Sequence, residues 1–125
     1  MLGAPVSTGF VATLAEQAAR ALDPFLAEVA ERLVSALLVH VDETTDQIRT
    51  DTVWFHVCAT DRYTLLYASD TRGKAAPDAA GVLGRFTGTM IHDRLRMYFN
   101  YTDASHAICL AHVGRDLEAA GVRSD

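Results

Sequence analysis

Apolar residues in the first third of the chain recur at helical spacing. Ser7 is a good helix cap, and apolar side chains follow at intervals of three or four positions as far as Leu22. Asp23 and Pro24 then restart the pattern, because an acid can cap a helix and proline suits the first helical position. The pattern therefore predicts two helices with a break at Pro24, within an N-terminal helical segment of residues 1–36.

Beyond this segment the pattern changes to short runs rich in β-branched and aromatic residues, which is typical of strands. Asp61 and Arg62 separate two of these runs and are expected to form a hairpin turn. A short helix is predicted to open at Pro77 and to continue through Phe86. The predicted strands are residues 37–43, 53–60, 63–68, 89–92 and 105–109, and the last predicted helix is residues 111–120.

The order of these elements predicts an α/β fold built on a mixed sheet. The first three strands follow one another closely enough to pair as an antiparallel meander, whereas the fourth is reached through a helix, which implies parallel pairing. Three strands, a helix, a strand, a helix and a strand form a ribonuclease H-like arrangement. We therefore predict a partial ribonuclease H-like core in residues 37–125, with three antiparallel strands plus parallel strands, preceded by the N-terminal helices.

Two aspartates follow apolar runs and are the main candidates for chemistry. Asp42 ends the first predicted strand and Asp93 ends the fourth, 51 positions later. In open α/β sheets, ligands bind at the carboxyl ends of the strands. Mg²⁺ (or Mn²⁺) commonly takes one or two carboxylates there, and paired ions assist phosphodiester chemistry. The alternative is that both are strand-terminating surface acids.

A third acid would complete such a site, and the sequence offers three candidates. Glu43 is expected to point to the opposite face of the sheet from Asp42, because side chains alternate along a strand. Asp116 and Glu118 lie on the last predicted helix. None of the three is singled out by its spacing.

Composition and charge restrict the class of protein and the cellular compartment that fit this chain. The chain has 125 residues and a net charge of −5, which argues against an autonomous nucleic-acid-binding module but not against an acidic catalytic core. Two cysteines fit no disulfide framework and indicate a reducing cytoplasm. We expect no signal peptide and no membrane-spanning segment.

Other polar residues have a functional and a structural interpretation. His106, Cys109 and His112 are spaced like zinc ligands, but a buried cysteine beside two hydrogen-bonded histidines is the favoured interpretation. Tyr98 and Tyr101 can stack on a base or pack beneath the site. The candidates for DNA phosphate contacts are Arg72, Lys74, Arg94, Arg96 and Arg115, and each is also explicable as a solvated surface charge.

Several segments in the same order resemble the transposases of the insertion-sequence-66 family. They are HVDET at 40–44, VWFHV at 53–57, RGK at 72–74, IHD at 91–93, and HAICLAH continuing to RDL at 106–117. The resemblance implies a DDE-type catalytic domain that cuts and joins DNA at transposon ends with Mg²⁺. It also implies that Asp42 and Asp93 are the first and second catalytic acids.

Two interpretations of function remain open at this stage. In that family the third acid is a glutamate in an asparagine- and arginine-rich stretch beyond the histidine–cysteine segment, and this chain has no such stretch. The first interpretation is a transposase domain for DNA cleavage and strand transfer, as an inactive or incomplete fragment. The second is a non-catalytic ribonuclease H-like remnant that acts by self-association or by association with a full-length transposase.

Overall fold

The computed structural model describes residues 6–48 and 50–121. The outer ends of the predicted segments 1–36 and 37–125 therefore lie outside the described residues. Within them, a long helix precedes a five-stranded sheet and two shorter helices. None of the helices in this part of the chain is both long and apolar enough to cross a membrane.

The N-terminal helix α1 (Thr8–Val34) is continuous, so the predicted break at Pro24 is wrong. Ser7 caps the helix as expected, and its hydroxyl accepts a hydrogen bond from the Phe10 amide at 3.1 Å. Proline in a helix interior costs about 3 kcal/mol. Strong helix formers surround Pro24 on both sides, and the last turns are held in the core through Val29 and Leu33, which offsets this cost locally.

The sheet has the predicted mixture of pairings. The strands β1 (Leu38–Ile48), β2 (Asp51–Ala59) and β3 (Thr64–Ser69) form an antiparallel meander. The strand β4 (Thr89–His92) pairs with β1 in parallel, and β5 (Ser105–Ile108) pairs with β4 in parallel. The strand order is therefore β3-β2-β1-β4-β5. The mixed α/β class, the meander and the parallel pairing are therefore confirmed.

The turn between β2 and β3 contains Asp61 and Arg62, as predicted. The Thr60 amide donates to the Tyr63 carbonyl at 2.8 Å, which closes the hairpin. The Thr60 hydroxyl accepts the amides of Arg62 and Tyr63 at 3.2 and 3.0 Å. The Thr60 side chain therefore stabilises a turn that has no glycine, because its oxygen accepts hydrogen bonds from two amides in the loop.

The connections after β3 differ from their predicted extent. The helix α2 (Ala75–Ala79) begins before Pro77 and ends well before Phe86, so the prediction of one helix through Phe86 is wrong. Proline is tolerated within the first turn because the amides there have no helical partner. A separate 3₁₀ turn follows at Leu83–Arg85, and the last helix α3 (Leu110–Ala119) agrees with its prediction to within a residue at each end.

The core lies on one face of the sheet. In β1 and β4, Val39, Val41 and Met90 are buried there against Leu33 of α1 and Phe86. Residues that alternate with them, such as Leu38 and His40, are more exposed and point to the other face. This alternation decides which polar side chains enter the core and which stay accessible.

Candidate functional site

Asp42 and Asp93 lie on or directly beside adjacent parallel strands. Asp42 is the fifth residue of the 11-residue β1, so the prediction that it ends the first strand is wrong, because pairing with β2 continues as far as Ile48. Asp93 directly follows β4, as predicted. In the β1–β4 pairing Leu38 is level with Thr89 and His40 with Ile91, an offset of 51 positions. The same offset, continued for two residues, brings Asp42 level with Asp93. Neighbouring strands lie roughly 4.8 Å apart, and level residues of a parallel pair face the same side. Continued in this way, the register predicts neighbouring positions for the two acids on the accessible face.

Each of these carboxylates has one oxygen engaged by the backbone. Asp42 Oδ1 accepts the Glu43 amide at 2.9 Å, and Asp93 Oδ1 accepts the Leu95 amide at 2.8 Å. These contacts restrain both side chains without using their second oxygens. Both residues are partly exposed, and the Asp42 side chain keeps 49% of its accessible surface. Two restrained, accessible carboxylates are suitable donors for a hard cation.

His112 lies near Asp42 and lines a cavity that Asp93 also lines. Its Nε2 lies 3.7 Å from Asp42 Oδ2, and its side chain is 28% exposed. It also lines a cavity of about 330 Å³ together with Asp93. The sequence signal for this residue was the histidine–cysteine spacing, which pointed to zinc and not to a partner of Asp42.

The same cavity contains the best-placed additional acid, Asp116. Its carboxylate lies on α3 and forms an ion pair with Arg94, which also lines the cavity. Glu118, the other helical candidate, is exposed and does not line this cavity. A guanidinium therefore already neutralises the acid that is closest to serving as a third ligand.

Glu43 is directed away from this face, as its position in the strand predicted. Its side chain is 1% exposed and accepts the Tyr98 hydroxyl at 2.7 Å. Arg72 donates to the other carboxylate oxygen through Nε at 3.0 Å and Nη2 at 2.6 Å. Glu43 thus anchors the core beneath Asp42 and does not join the candidate site.

The basic residues predicted to contact DNA differ in how they are engaged. Besides its bond to Glu43, Arg72 stacks on the Trp54 ring at 5.0 Å. Lys74 pairs with the Asp78 carboxylate at 2.8 Å, and this contact lowers the pKa of Asp78. Arg115 is exposed and takes part in no ion pair of the described residues.

The three residues with zinc-like spacing do not converge. His106 lies on β5 and hydrogen-bonds the buried ring of His92 at 3.0 Å, whereas His112 lies beside Asp42 on the other face. Cys109 caps α3, and the ring of His112 together with nearby helix amides lowers the pKa of its thiol. In residues 6–48 and 50–121, no group of three or more histidine, cysteine, aspartate or glutamate side chains is placed to hold a metal ion.

Both tyrosines pack beneath the site, as in the structural interpretation of their pattern. Tyr98 and Tyr101 are 1% and 5% exposed, so neither presents a ring for stacking on a base. Burial raises the pKa of both phenols, and the carboxylates that accept their hydrogen bonds add to this effect. The hydroxyl of Tyr98 connects to Glu43, and that of Tyr101 to Asp78.

Comparisons with known proteins agree with the resemblance seen in the sequence. No curated protein and no solved structure matches the chain. The family model described as transposase IS66 family matches residues 1–125, which is the whole chain. The chain therefore belongs to the IS66 family of transposases.

Proposed function

We propose that this chain is a DDE-type transposase domain whose Asp42 and Asp93 bind a divalent metal for DNA cleavage and strand transfer. The observation that supports the proposal is the parallel register of β1 and β4, which, continued by two residues, makes two acids from distant parts of the sequence level with each other. The family supplies the context of DNA transposition. The acids themselves supply the donor chemistry.

The donors fit Mg²⁺ or Mn²⁺ better than a softer metal. Hard cations prefer oxygen ligands and often combine one or two carboxylates with water and phosphate oxygens. Asp42 and Asp93 each retain a carboxylate oxygen that no described backbone amide engages. When bound, such ions stabilise charge on the attacking and leaving oxygens of a phosphodiester. The protein's own contribution is to hold the two acids level on fixed backbone.

We further propose that the sheet belongs to the ribonuclease H-like class. The order β3-β2-β1-β4-β5, with a meander followed by two parallel strands, supports this assignment. So does the presence of an acid on β1 and of another directly after β4, the strand beside it. In this arrangement β1 is the middle strand, and Asp42 lies on its accessible face.

Among the candidate phosphate contacts, we propose Arg115 and Arg94 before Arg72 and Lys74. Arg115 is exposed on α3, the helix that also carries His112. Arg94 lines the cavity beside Asp93, although it must exchange its pairing with Asp116 to bind a phosphate. Arg72 is already paired with the buried Glu43 carboxylate, so its loss would first weaken the fold. Lys74 is held in an exposed ion pair with Asp78, which it must leave to bind a phosphate.

A second candidate function is a metal-binding but non-catalytic module. It is favoured by the pairing of Asp116 with Arg94, which leaves two acids and no third ligand in the described residues. Precise positioning of reacting groups contributes much of enzymatic catalysis, so a poorly held second ion gives little activity. We therefore propose that the isolated chain binds metal without cleaving DNA. Activity would require a further acid from another segment or a full-length partner.

Metal binding is tested by Mn²⁺ titration with calorimetry or electron paramagnetic resonance. We expect roughly millimolar affinity for the wild type and a loss of at least about tenfold in Asp42→Asn and Asp93→Asn, because two carboxylates hold a hydrated ion loosely. Asp61→Asn is the matched control, since this acid lies in the hairpin at the opposite edge of the sheet. Equal affinity in all four proteins would refute the metal site.

Cleavage is tested by incubation with supercoiled plasmid and Mn²⁺. The incomplete-site proposal predicts no nicking by the wild type or by Asp42→Ala. Nicking by the wild type that disappears in Asp42→Ala would instead establish an active enzyme. Asp116→Asn then decides whether Asp116 supplies the third acid after releasing Arg94.

A further inference from the structure

A buried and a half-buried imidazole form a hydrogen-bonded pair next to Asp93. His92 is 0% exposed, and its Nε2 lies 3.0 Å from His106 Nδ1. The other nitrogen of His92, Nδ1, contacts the backbone carbonyl of Asp93. The other nitrogen of His106, Nε2, lies 3.2 Å from the Tyr101 carbonyl. The pair therefore spans two backbone carbonyls, one of which belongs to the proposed metal ligand.

The number of protons restricts how this chain of contacts is arranged. Three contacts connect the two carbonyls, and each needs one N–H group. A neutral imidazole carries a single N–H, so two neutral rings satisfy only two of the three contacts. Two nitrogen lone pairs repel each other at 3.0 Å, so one of the two hydrogens belongs to the contact between the rings. With neutral rings, one carbonyl therefore faces a ring nitrogen that has no hydrogen.

The surroundings indicate which carbonyl can be left without a ring donor. The Ala104 amide already donates to the Tyr101 carbonyl at 3.1 Å. Within the described residues, the Asp93 carbonyl receives no hydrogen bond other than that of His92. A buried acceptor without a donor costs about 1–3 kcal/mol. The favoured arrangement therefore puts the His92 hydrogen on Nδ1, so that His106 must donate its own Nδ1 hydrogen to His92 Nε2.

We propose that His92 and His106 are positioning residues for Asp93, acting as a hydrogen-bonded pair in which each ring carries a hydrogen on Nδ1. This inference rests on the proposed metal site, because Asp93 is the group positioned. His106 fixes the tautomer of His92, and His92 holds the main chain at the carbonyl of Asp93. The Leu95 amide restrains the Asp93 side chain at the same time. Residues that hydrogen-bond to a metal ligand and orient it commonly change the affinity for the metal by about 10- to 100-fold.

Aromatic packing locks the orientation of the pair. The Phe99 ring meets His92 edge-on, with centroids 4.8 Å apart, and the Tyr98 ring is tilted against it at 5.0 Å. Phe99 also contacts His106 at 5.2 Å. The fully buried His92 ring cannot rotate freely to exchange its contacts, since interior side chains are closely packed. With the rings held in place, the hydrogen bonds decide which nitrogen of each imidazole carries the hydrogen.

The tautomer is measured directly in the wild-type protein. Long-range ¹H–¹⁵N correlation spectra of the histidine rings distinguish Nδ1–H from Nε2–H in neutral imidazoles. We expect both His92 and His106 to show the Nδ1–H pattern at neutral pH. An Nε2–H ring at His92 would overturn the inference, whatever the metal experiments show.

Two near-isosteric variants of His106 test the functional consequence. Asn places its amide N–H near the position of Nδ1, whereas Gln places it near Nε2. We expect His106→Asn to retain the Mn²⁺ affinity within about twofold, and His106→Gln to lose about tenfold. Urea unfolding provides the control, because a purely structural role would weaken stability and affinity together in both variants.

The outcomes separate this inference from the proposed function. Equal Mn²⁺ affinities for His106→Asn and His106→Gln, in folded proteins, would overturn the positioning role. If the wild type and Asp93→Asn bind Mn²⁺ equally weakly, the proposed metal site fails instead, and with it the functional part of the role. The ring spectra of the wild type still decide the tautomers in that case.

Discussion

Replacing Tyr98 by phenylalanine should destabilise the fold through a single lost hydrogen bond. The Tyr98 hydroxyl donates to Glu43 Oε2 at 2.7 Å, and both side chains are 1% exposed. Water therefore has no access to the carboxylate oxygen when the hydroxyl is removed. The variant leaves a buried, charged acceptor without this partner, and the rest of the ring stays in place.

The magnitude follows from the charge and burial of the acceptor. A hydrogen bond to a charged group contributes about 1.5–3 kcal/mol. Arg72 still neutralises the carboxylate through its other oxygen, which keeps the cost away from the upper end of that range. We expect a loss of about 2 kcal/mol in the free energy of unfolding, or roughly 6–12 °C in Tm for a domain of this size.

Tyr101→Phe is the matched control. Tyr101 is also buried, and its hydroxyl donates to Asp78 Oδ1 at 2.9 Å. The Asp78 side chain, however, is 42% exposed, and Lys74 donates to it at 2.8 Å. Water can replace the lost hydroxyl there, so this variant should cost less than about 1 kcal/mol.

Urea unfolding followed by the fluorescence of Trp54, the single tryptophan, measures both costs. Adding Glu43→Gln to Tyr98→Phe completes a double-mutant cycle, and we expect a coupling energy of at least about 1 kcal/mol. Equal costs for Tyr98→Phe and Tyr101→Phe would refute the reasoning, because the two differ mainly in the exposure of the accepting carboxylate. A coupling energy near zero would refute it as well.

Three further predictions concern the fold. A Cβ on Gly88 would lie 2.6 Å from the Leu37 carbonyl oxygen, so Gly88→Ala should lower the free energy of unfolding in urea by about 1–3 kcal/mol. A Cβ on Gly84 would meet no atom within 4 Å, so Gly84→Ala should cost clearly less. Equal costs for the two variants would contradict this reasoning. Burial raises the pKa of Cys58 from 9.0 to about 12, so this contribution to stability is complete below pH 9 and is lost as the pH rises towards 12. Cys58→Ala should flatten the decline between pH 9 and 11 by up to about 1.4 kcal/mol per pH unit, and an unchanged slope would argue against it. Pro24→Ala should increase the helical circular-dichroism signal by relieving a cost of up to about 3 kcal/mol in α1, and a weaker signal would contradict a continuous helix.

Local patterns were sufficient to predict the strands and their general pairing. Each strand is a short run whose residues favour extended backbone, and the short turn at Asp61 and Arg62 leaves little choice but a hairpin. The crossover to β4 implied parallel pairing, because a parallel connection needs a longer segment than a turn. The prediction failed at Pro24, where a local breaking signal competed with helix formers and with distant packing.

The candidate site was predictable only in part. Sequence alone predicted Asp93 at the end of its strand and Glu43 on the other face from Asp42. It placed the end of β1 five residues too early, because the polar residues after Asp42 gave no apolar strand pattern although they pair with β2. Whether the two aspartates are level depends on the register between strands. Packing of the core residues of both strands sets that register, and no short segment contains this information.

The partners of the polar residues were decided by tertiary structure alone. His112 comes near Asp42, and Tyr98 reaches Glu43 across 55 positions of sequence. Spacing along the chain reports neighbours on one element, so it grouped His106 and His112 although the fold directs them to opposite faces. Sequence therefore determined which chemically reactive side chains the chain carries and near which strands they lie. The packed sheet determined which groups meet, because hydrogen bonds and ion pairs depend on distances that only the complete fold establishes.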